Sequence, residues 1–106
     1  MIKRYMTDRN IIHEVDEFQP GIWVALTAPT AEECSLVAET YEIDPADVRA
    51  ALDDEESSRV DVSNEYSLIL FDIPTIEYRH KREAYTTIPL GLILIDETLI
   101  TVCGEE

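Results

Sequence analysis

Two runs of the sequence are apolar at every position, and they limit the folds open to this chain more than any other feature. Residues 68–71 read Leu-Ile-Leu-Phe, and residues 92–95 read Leu-Ile-Leu-Ile. Because a strand points successive side chains to opposite faces, a strand that is apolar throughout is typical of a sheet covered on both sides. The sequence therefore predicts a central sheet with a cover on each face.

Two amphipathic helices are predicted between the third and fourth strands. Thr30 and Glu33 have the spacing of a capping box, which starts the first helix. The apolar positions of this helix recur at helical spacing, at Cys34, Val37, Ala38 and Tyr41. Asp44 as N-cap and Pro45 at the first helical position start the second helix. These helices would cover one face, and sequence outside this chain is expected to cover the other.

The remaining segments are predicted to be short strands. The strand that begins at Tyr66 is expected to end at Pro74, because proline cannot donate a hydrogen bond to a sheet. Trp23, between two apolar neighbours, is expected to lie in the core. We expect one soluble domain over residues 1–106 with an α+β fold, similar to an α/β/α sandwich. Its sheet would be mixed and mainly antiparallel, with about six to seven strands.

The charge of the chain limits its partners. It carries 23 acidic residues against 8 basic ones, for a net charge of −15. A field of that sign repels phosphate backbones and anionic lipid headgroups, which argues against a nucleic acid partner. The longest apolar runs fall far short of the roughly 20 residues needed to span a bilayer. The distant Cys34 and Cys103 form no metal or redox motif, so a cytosolic setting is expected.

No pattern typical of an enzyme is present, and we expect neither catalytic nor cofactor-binding residues. The three glycines, Gly21, Gly91 and Gly104, do not form a phosphate-binding loop or a dinucleotide fingerprint. The sequence also lacks the Gly-x-Ser-x-Gly nucleophile motif. His13 and His80 fall in predicted loops or at strand ends, so exposed surface is the simpler interpretation for both.

Four consecutive carboxylates at the end of the second helix form the candidate metal site: Asp53, Asp54, Glu55 and Glu56. The carboxyl end of a helix is already its negative pole, so each acid there costs about 0.3 to 1 kcal/mol at low salt. A hard cation such as Mg²⁺ would relieve that repulsion, and it binds oxygen ligands. This acidic run is therefore a candidate weak regulatory Mg²⁺ site. The alternative is a solvated acidic turn.

The order of these segments resembles the amino-terminal domain of the CorA family of magnesium and cobalt transporters. The resemblance lies in residues 23–26, 29–33, 50–53, 66–74, 87–91 and 99–103. It implies a mixed sheet with helices on both faces, and a stalk helix and two membrane helices further along the chain. It also implies a homopentamer whose other subunits are the partners.

By this resemblance the chain is the regulatory domain on the cytoplasmic side of the cell membrane. It would sense divalent cations and gate a pore that lies outside this sequence, meeting the membrane only through the absent carboxyl-terminal helices. Two positions depart from the family pattern: Ala50 stands where some members present a sensing aspartate, and Ala25 where Asn or Asp is frequent. Mg²⁺, Co²⁺ and Zn²⁺ remain open as the transported ion. A stand-alone acidic adaptor that binds a basic protein is the alternative function.

Overall fold

A mixed sheet of seven strands is the centre of the computed structural model, which describes residues 1–53, 58–79 and 82–104, with the backbone alone at 75–79 and 82–87. The strands are β1 Ile2–Asp8, β2 Ile11–Glu14, β3 Trp23–Thr27, β4 Arg59–Val62, β5 Ser67–Arg79, β6 Arg82–Ile95 and β7 Thr98–Cys103. Their spatial order is β2-β1-β3-β7-β6-β5-β4. Strands β3 and β7 pair in parallel, and the other described pairings are antiparallel. The predicted mixed, mainly antiparallel sheet is confirmed.

The two predicted helices lie between β3 and β4, as expected. Helix α1 spans Ala31–Tyr41 and α2 spans Pro45–Arg49, followed by a 3-10 turn at Ala50–Leu52. The capping box is formed: the Glu33 amide donates to Thr30 Oγ1 at 3.1 Å, and the Thr30 amide donates to Glu33 Oε1 at 2.9 Å. The Asp44 carboxylate accepts from the Ala46 amide at 2.9 Å and caps α2. Local hydrogen bonding therefore starts both helices where the sequence predicts.

The core lies between one face of the sheet and these helices. The sheet contributes side chains that are almost completely buried, namely Val24, Leu26, Leu68, Ile93, Ile100 and Val102. The helices contribute Cys34, Val37 and Val48, also buried. Each such strand places alternate residues in this core, so the remaining residues of the same strands point to the opposite face. No described helix covers that opposite face.

Strand β5 does not end at Pro74, and that prediction is wrong. The strand continues to Arg79, and Pro74 pairs with Thr87 of β6. On its other edge, β5 pairs with β4 through residues 67–70. Beyond that point no described strand needs an amide donor from β5 on this edge, so a residue without an N–H is tolerated there.

Trp23 is not a core residue, which corrects a second prediction. Its side chain is 39% exposed and lies on the face of the sheet opposite the helices. The indole Nε1 donates to Thr101 Oγ1 at 2.9 Å, and the ring packs on Tyr5 with 4.8 Å between centroids. Side chains alternate between the two faces along β3. Because Val24 and Leu26 point into the core, Trp23 points to the opposite face.

Candidate interaction face and acidic segment

The face of the sheet turned away from the helices is apolar over most of its width. The registers of the strands place the same set of alternate residues on this surface, which we call the open face. Its apolar part consists of Tyr5, Trp23, Ala25, Val60, Val62, Ile69, Phe71, Leu90, Leu92, Leu94, Leu99, Thr101 and Cys103. The register also places Lys3 of β1 and Ser67 of β5 on this face. Several of these side chains are well exposed, from Leu94 at 45% to Val62 at 76%.

The open face is as large as the apolar surface patches that are often functional on monomeric proteins. Five strands, from β3 to β4 in the sheet order, lie about 4.8 Å apart, and each contributes a segment about five residues long in which every second side chain points to this face. The projected area is then on the order of 300 Å², comparable to the largest apolar patch on a typical monomer, which is often functional. In this part of the sheet no described side chain on the open face is charged, although the chain carries a net charge of −15. Such a surface is typical of one that packs against further protein.

Asp53, the first residue of the candidate metal segment, follows the helices that cover the other side of the sheet. Asp53 follows the 3-10 turn, is exposed, and donates its amide to the Ala50 carbonyl at 3.3 Å. Asp54, Glu55 and Glu56 lie outside the described residues. Of the four predicted ligands the structure therefore places one, on the solvent side.

The electrostatic argument for this segment changes with the observed helix. The α-helix ends at Arg49 after five residues, and the chain reaches Asp53 through a 3-10 turn. A helix dipole acts mainly within the last turn, so its negative pole lies further from Asp53 than the sequence suggested. Arg59, the basic residue nearest in sequence after the run, pairs with Asp61 through Nε at 2.8 Å. Mutual repulsion of the carboxylates is the stronger reason for a cation here.

Two contacts hold the segment that leads to Asp53. At its start, the Tyr66 hydroxyl donates to Asp47 Oδ2 at 2.5 Å and accepts from the Asp44 amide at 3.3 Å. Burial, and then the hydrogen bond to Asp47, raise the pKa of Tyr66 above its ordinary value of 10. At its end, Ala51 is buried against β6. These contacts therefore fix the position of the backbone that precedes Asp53.

The position of Ala50 is not suited to a cation-sensing carboxylate. Its methyl group is 6% exposed and belongs to the core, beside Val48 and Ala51. A carboxylate at this position would need a buried partner. Among residues 1–53, 58–79 and 82–104, no three His, Cys, Asp or Glu side chains come together in a way that could hold a metal ion. In the same ranges no helix has the length and apolar character to cross a bilayer.

Sequence reasoning found the acidic segment and predicted that one face of the sheet needs a cover from outside this chain, but it did not identify the residues that form the open face. The fully apolar runs at residues 68–71 and 92–95 gave the signal, since half of each run had to point away from the helices. The extension of that surface to Val60, Val62 and Trp23 depends on which strands are neighbours. That information lies in the pairing and not in the pattern of one strand.

The comparisons with known proteins agree on one family. The model of the family described as "CorA-like Mg2+ transporter protein" matches residues 19–106. A curated relative, the cobalt/magnesium transport protein CorA of Methanocaldococcus jannaschii, is 28% identical over 85 residues. That alignment covers 80% of this chain and 25% of the relative, so the chain spans about a quarter of its length.

Solved structures show the same fold. The soluble domain of CorA from Methanocaldococcus jannaschii superposes with a TM-score of 0.79 at 23% identity, covering 100% of this chain and 41% of that one. The cytoplasmic domain of ZntB from Vibrio parahaemolyticus superposes with a TM-score of 0.69 at 11% identity, covering 98% of this chain and 43% of that one. The sheet and the two helices are therefore those of this type of soluble domain.

Proposed function

Because the chain belongs to the family of CorA-like Mg²⁺ transporter proteins, we propose that it acts as the cytoplasmic regulatory domain of a divalent cation transporter. The observation that carries this proposal is the family match over residues 19–106, which includes α1, α2 and five of the seven described strands. The family is one of transporters, and we propose no catalytic role.

The larger part of such a transporter lies beyond the portion that this chain matches. The chain covers 25% of the curated relative and 41% of the solved soluble domain. Conduction would belong to that remaining part, and this domain would report the cytoplasmic concentration of Mg²⁺ or Co²⁺ to it. The partners would be the other subunits of a homopentamer.

The open face supports this role, because a domain that works within a larger assembly needs a surface on which that assembly packs. The face is apolar, uncharged from β3 to β4, and exposed at Val60, Val62 and Leu94. Burial of apolar area contributes roughly 25 cal/mol per Å². An area on the order of 300 Å² would thus supply several kcal/mol of association free energy before its entropic cost.

The sensing element would be the acidic run from Asp53 to Glu56. Mg²⁺ keeps most of its water shell when a protein offers carboxylates without a rigid cage, so an affinity in the millimolar range is expected. Binding would act by relieving repulsion among four adjacent negative charges. The contacts of Tyr66 with Asp47 and of Ala51 with β6, which precede Asp53, would couple that relief to α2 and to β6.

The test is the effect of Mg²⁺ on thermal stability. Mg²⁺ should raise the melting temperature more than a monovalent salt of equal ionic strength, and the variant Asp53→Asn with Asp54→Asn should remove the difference. A matched control, Glu32→Gln with Glu39→Gln, removes the same charge from exposed positions on α1 and should keep the full Mg²⁺ effect. Equal Mg²⁺ effects in the wild type and the Asp53/Asp54 variant would show that the run is a solvated turn and would overturn the sensing role.

A further inference from the structure

A cavity of about 370 Å³ lies on the helical side of the sheet, and no residue of the acidic run lines it. Three segments line it: the loop at Phe18, Gln19 and Pro20, the end of α1, and the turn between β6 and β7. Small-molecule sites begin at about 300 Å³, so a small organic group fits this space. Nothing in the proposed cation-sensing role uses it.

The walls of the cavity combine apolar surface with hydroxyl groups that form hydrogen bonds within the chain. Phe18 and Tyr41 meet edge to face, with 6.1 Å between ring centroids, and Ile95 and Pro20 add aliphatic surface. The Tyr41 hydroxyl donates to the Gln19 carbonyl at 3.1 Å.

The two threonine hydroxyls of the lining are also used within the chain. Thr40 donates to the Leu36 carbonyl at 2.7 Å. Thr98 Oγ1 accepts from the Gly21 amide at 2.9 Å. The Tyr41 and Thr40 protons are thus committed within the chain, and the Thr98 side chain is buried, so these hydroxyl groups offer little to an incoming anion.

The charged groups of the lining are both carboxylates. Glu42 and Asp96 are exposed, and within the described residues neither side chain has an ion pair or hydrogen bond. Arg4 stacks over Phe18 at 4.8 Å, but it does not line the cavity, and its Nε donates to the Val15 carbonyl at 3.4 Å. The lining thus offers negative charge beside apolar walls, with no basic side chain of its own.

We propose that this cavity binds an organic cation, a guanidinium or primary ammonium group carried on an aliphatic stem. The stem would pack on Tyr41, Ile95 and Pro20, as the aliphatic part of a basic side chain packs on apolar surface. The cationic head would bind the carboxylates of Glu42 and Asp96. The net charge of −15 favours the approach of cations in general. The apolar walls select against a bare metal ion, which needs oxygen ligands on several sides.

The first experiment is a titration with butylguanidinium followed by amide NMR. Saturable shifts are expected at residues 40–42 and 96–98, with a dissociation constant in the millimolar range. Butylurea has the same stem and a planar head without charge, and it should cause little change. Absence of saturation up to about 20 mM butylguanidinium, or equal shifts with butylurea, would overturn the proposal.

A pair of charge-matched variants tests the assignment of the carboxylates. Glu42→Gln with Asp96→Asn should weaken butylguanidinium binding about fivefold, the size expected for two exposed ion pairs. Asn tolerates the positive φ of 52° at position 96, so the turn is retained. Glu32→Gln with Glu39→Gln removes the same charge outside the cavity and should change the affinity less than twofold. Equal weakening by both variants would show non-specific attraction and would overturn the site.

The same chemistry has two sources, a free cation or a basic side chain of a peptide. Agmatine represents the first, and an acetylated, amidated Gly-Ala-Arg-Ala-Gly peptide the second. Tighter binding of the peptide assigns the cavity to an arginine side chain, and tighter binding of agmatine assigns it to a free organic cation. If neither ligand shifts the amide resonances of residues 40–42, the proposal is overturned. The Mg²⁺ effect should be unchanged in the Glu42/Asp96 variant, which separates this site from the acidic run.

Discussion

Gly91 of β6 lies so close to Ala51 that a Cβ atom built on the glycine would be 3.1 Å from the Ala51 Cβ. Both atoms are attached directly to backbone, so no change of rotamer can separate them. The same added atom would also lie 3.5 Å from Leu70 Cδ2. The 3-10 turn therefore rests on β6 at a point where only a glycine fits without movement, and this contact fixes where the chain leaves toward Asp53.

Gly91→Ala should destabilise the fold by about 1 to 3 kcal/mol, because an extra methyl group in a packed core forces the backbone to shift. Urea unfolding at neutral pH measures the difference. Gly104→Ala is the control, since its Cβ would meet Leu52 Cδ2 at 3.7 Å, an ordinary contact. That control should stay within about 0.5 kcal/mol of the wild type. Equal stability of the Gly91→Ala variant and the control would contradict the close packing.

Tyr66→Phe should lower the stability at pH 7 by about 1 to 2 kcal/mol, because it removes the hydroxyl that donates to Asp47 and accepts from the Asp44 amide. The pH dependence gives a second readout. Since the folded pKa of Tyr66 is raised, its contribution is complete below the ordinary value of about 10 and is lost as the pH rises through the folded pKa. The stability difference between wild type and Tyr66→Phe should therefore shrink above pH 10. A difference that stays constant to pH 11 would exclude this linkage.

Glu33 should contribute stability that disappears in acid. The Thr30 amide, and then the amino-terminal ammonium group at 2.9 Å, lower the pKa of this carboxyl below its ordinary value of 4.5. Its contribution is complete above that ordinary value and is lost as the pH falls through the lower folded pKa. Between pH 6 and pH 3, Glu33→Gln should lose less stability than the wild type, as measured by thermal unfolding. Glu32 is adjacent to Glu33 but outside the capping box, so the stability of Glu32→Gln should depend on pH as that of the wild type does. If Glu32→Gln instead shows the same pH dependence as Glu33→Gln, the capping box is not the cause of the acid sensitivity.

The open face should bind hydrophobic dyes and should promote association when charge repulsion is screened. Repulsion between chains of charge −15 weakens above about 0.15 M salt, where the screening length is about 8 Å. Light scattering should then show mainly monomer at low salt and larger species at high salt. Leu94→Lys with Val62→Lys should reduce both dye fluorescence and association, because lysine carries charge onto this face. Leu36→Lys, at a 46% exposed site on α1, is the control and should change neither.

The sequence determined the parts of this protein that depend on neighbours along the chain. The capping box at Thr30, the N-cap at Asp44 and the apolar stripe of α1 all involve residues within one or two helical turns, and the structure confirms each of them. The acidic run could be recognised for the same reason, because its four carboxylates are consecutive in the sequence. The family resemblance placed the fold, which the comparisons confirm.

Tertiary structure decided what depends on strand pairing. Trp23 and Val24 are both apolar residues of one strand, and the sequence does not distinguish their positions. The register with Leu99 and Ile100 places Trp23 on the open face and Val24 in the core. The continuation of β5 past Pro74 depends on the length of β4 beside it. The cavity between Glu42 and Asp96 joins residues more than fifty positions apart. Each of these features follows from contacts across the sheet or between layers, which a periodic pattern in one segment cannot specify.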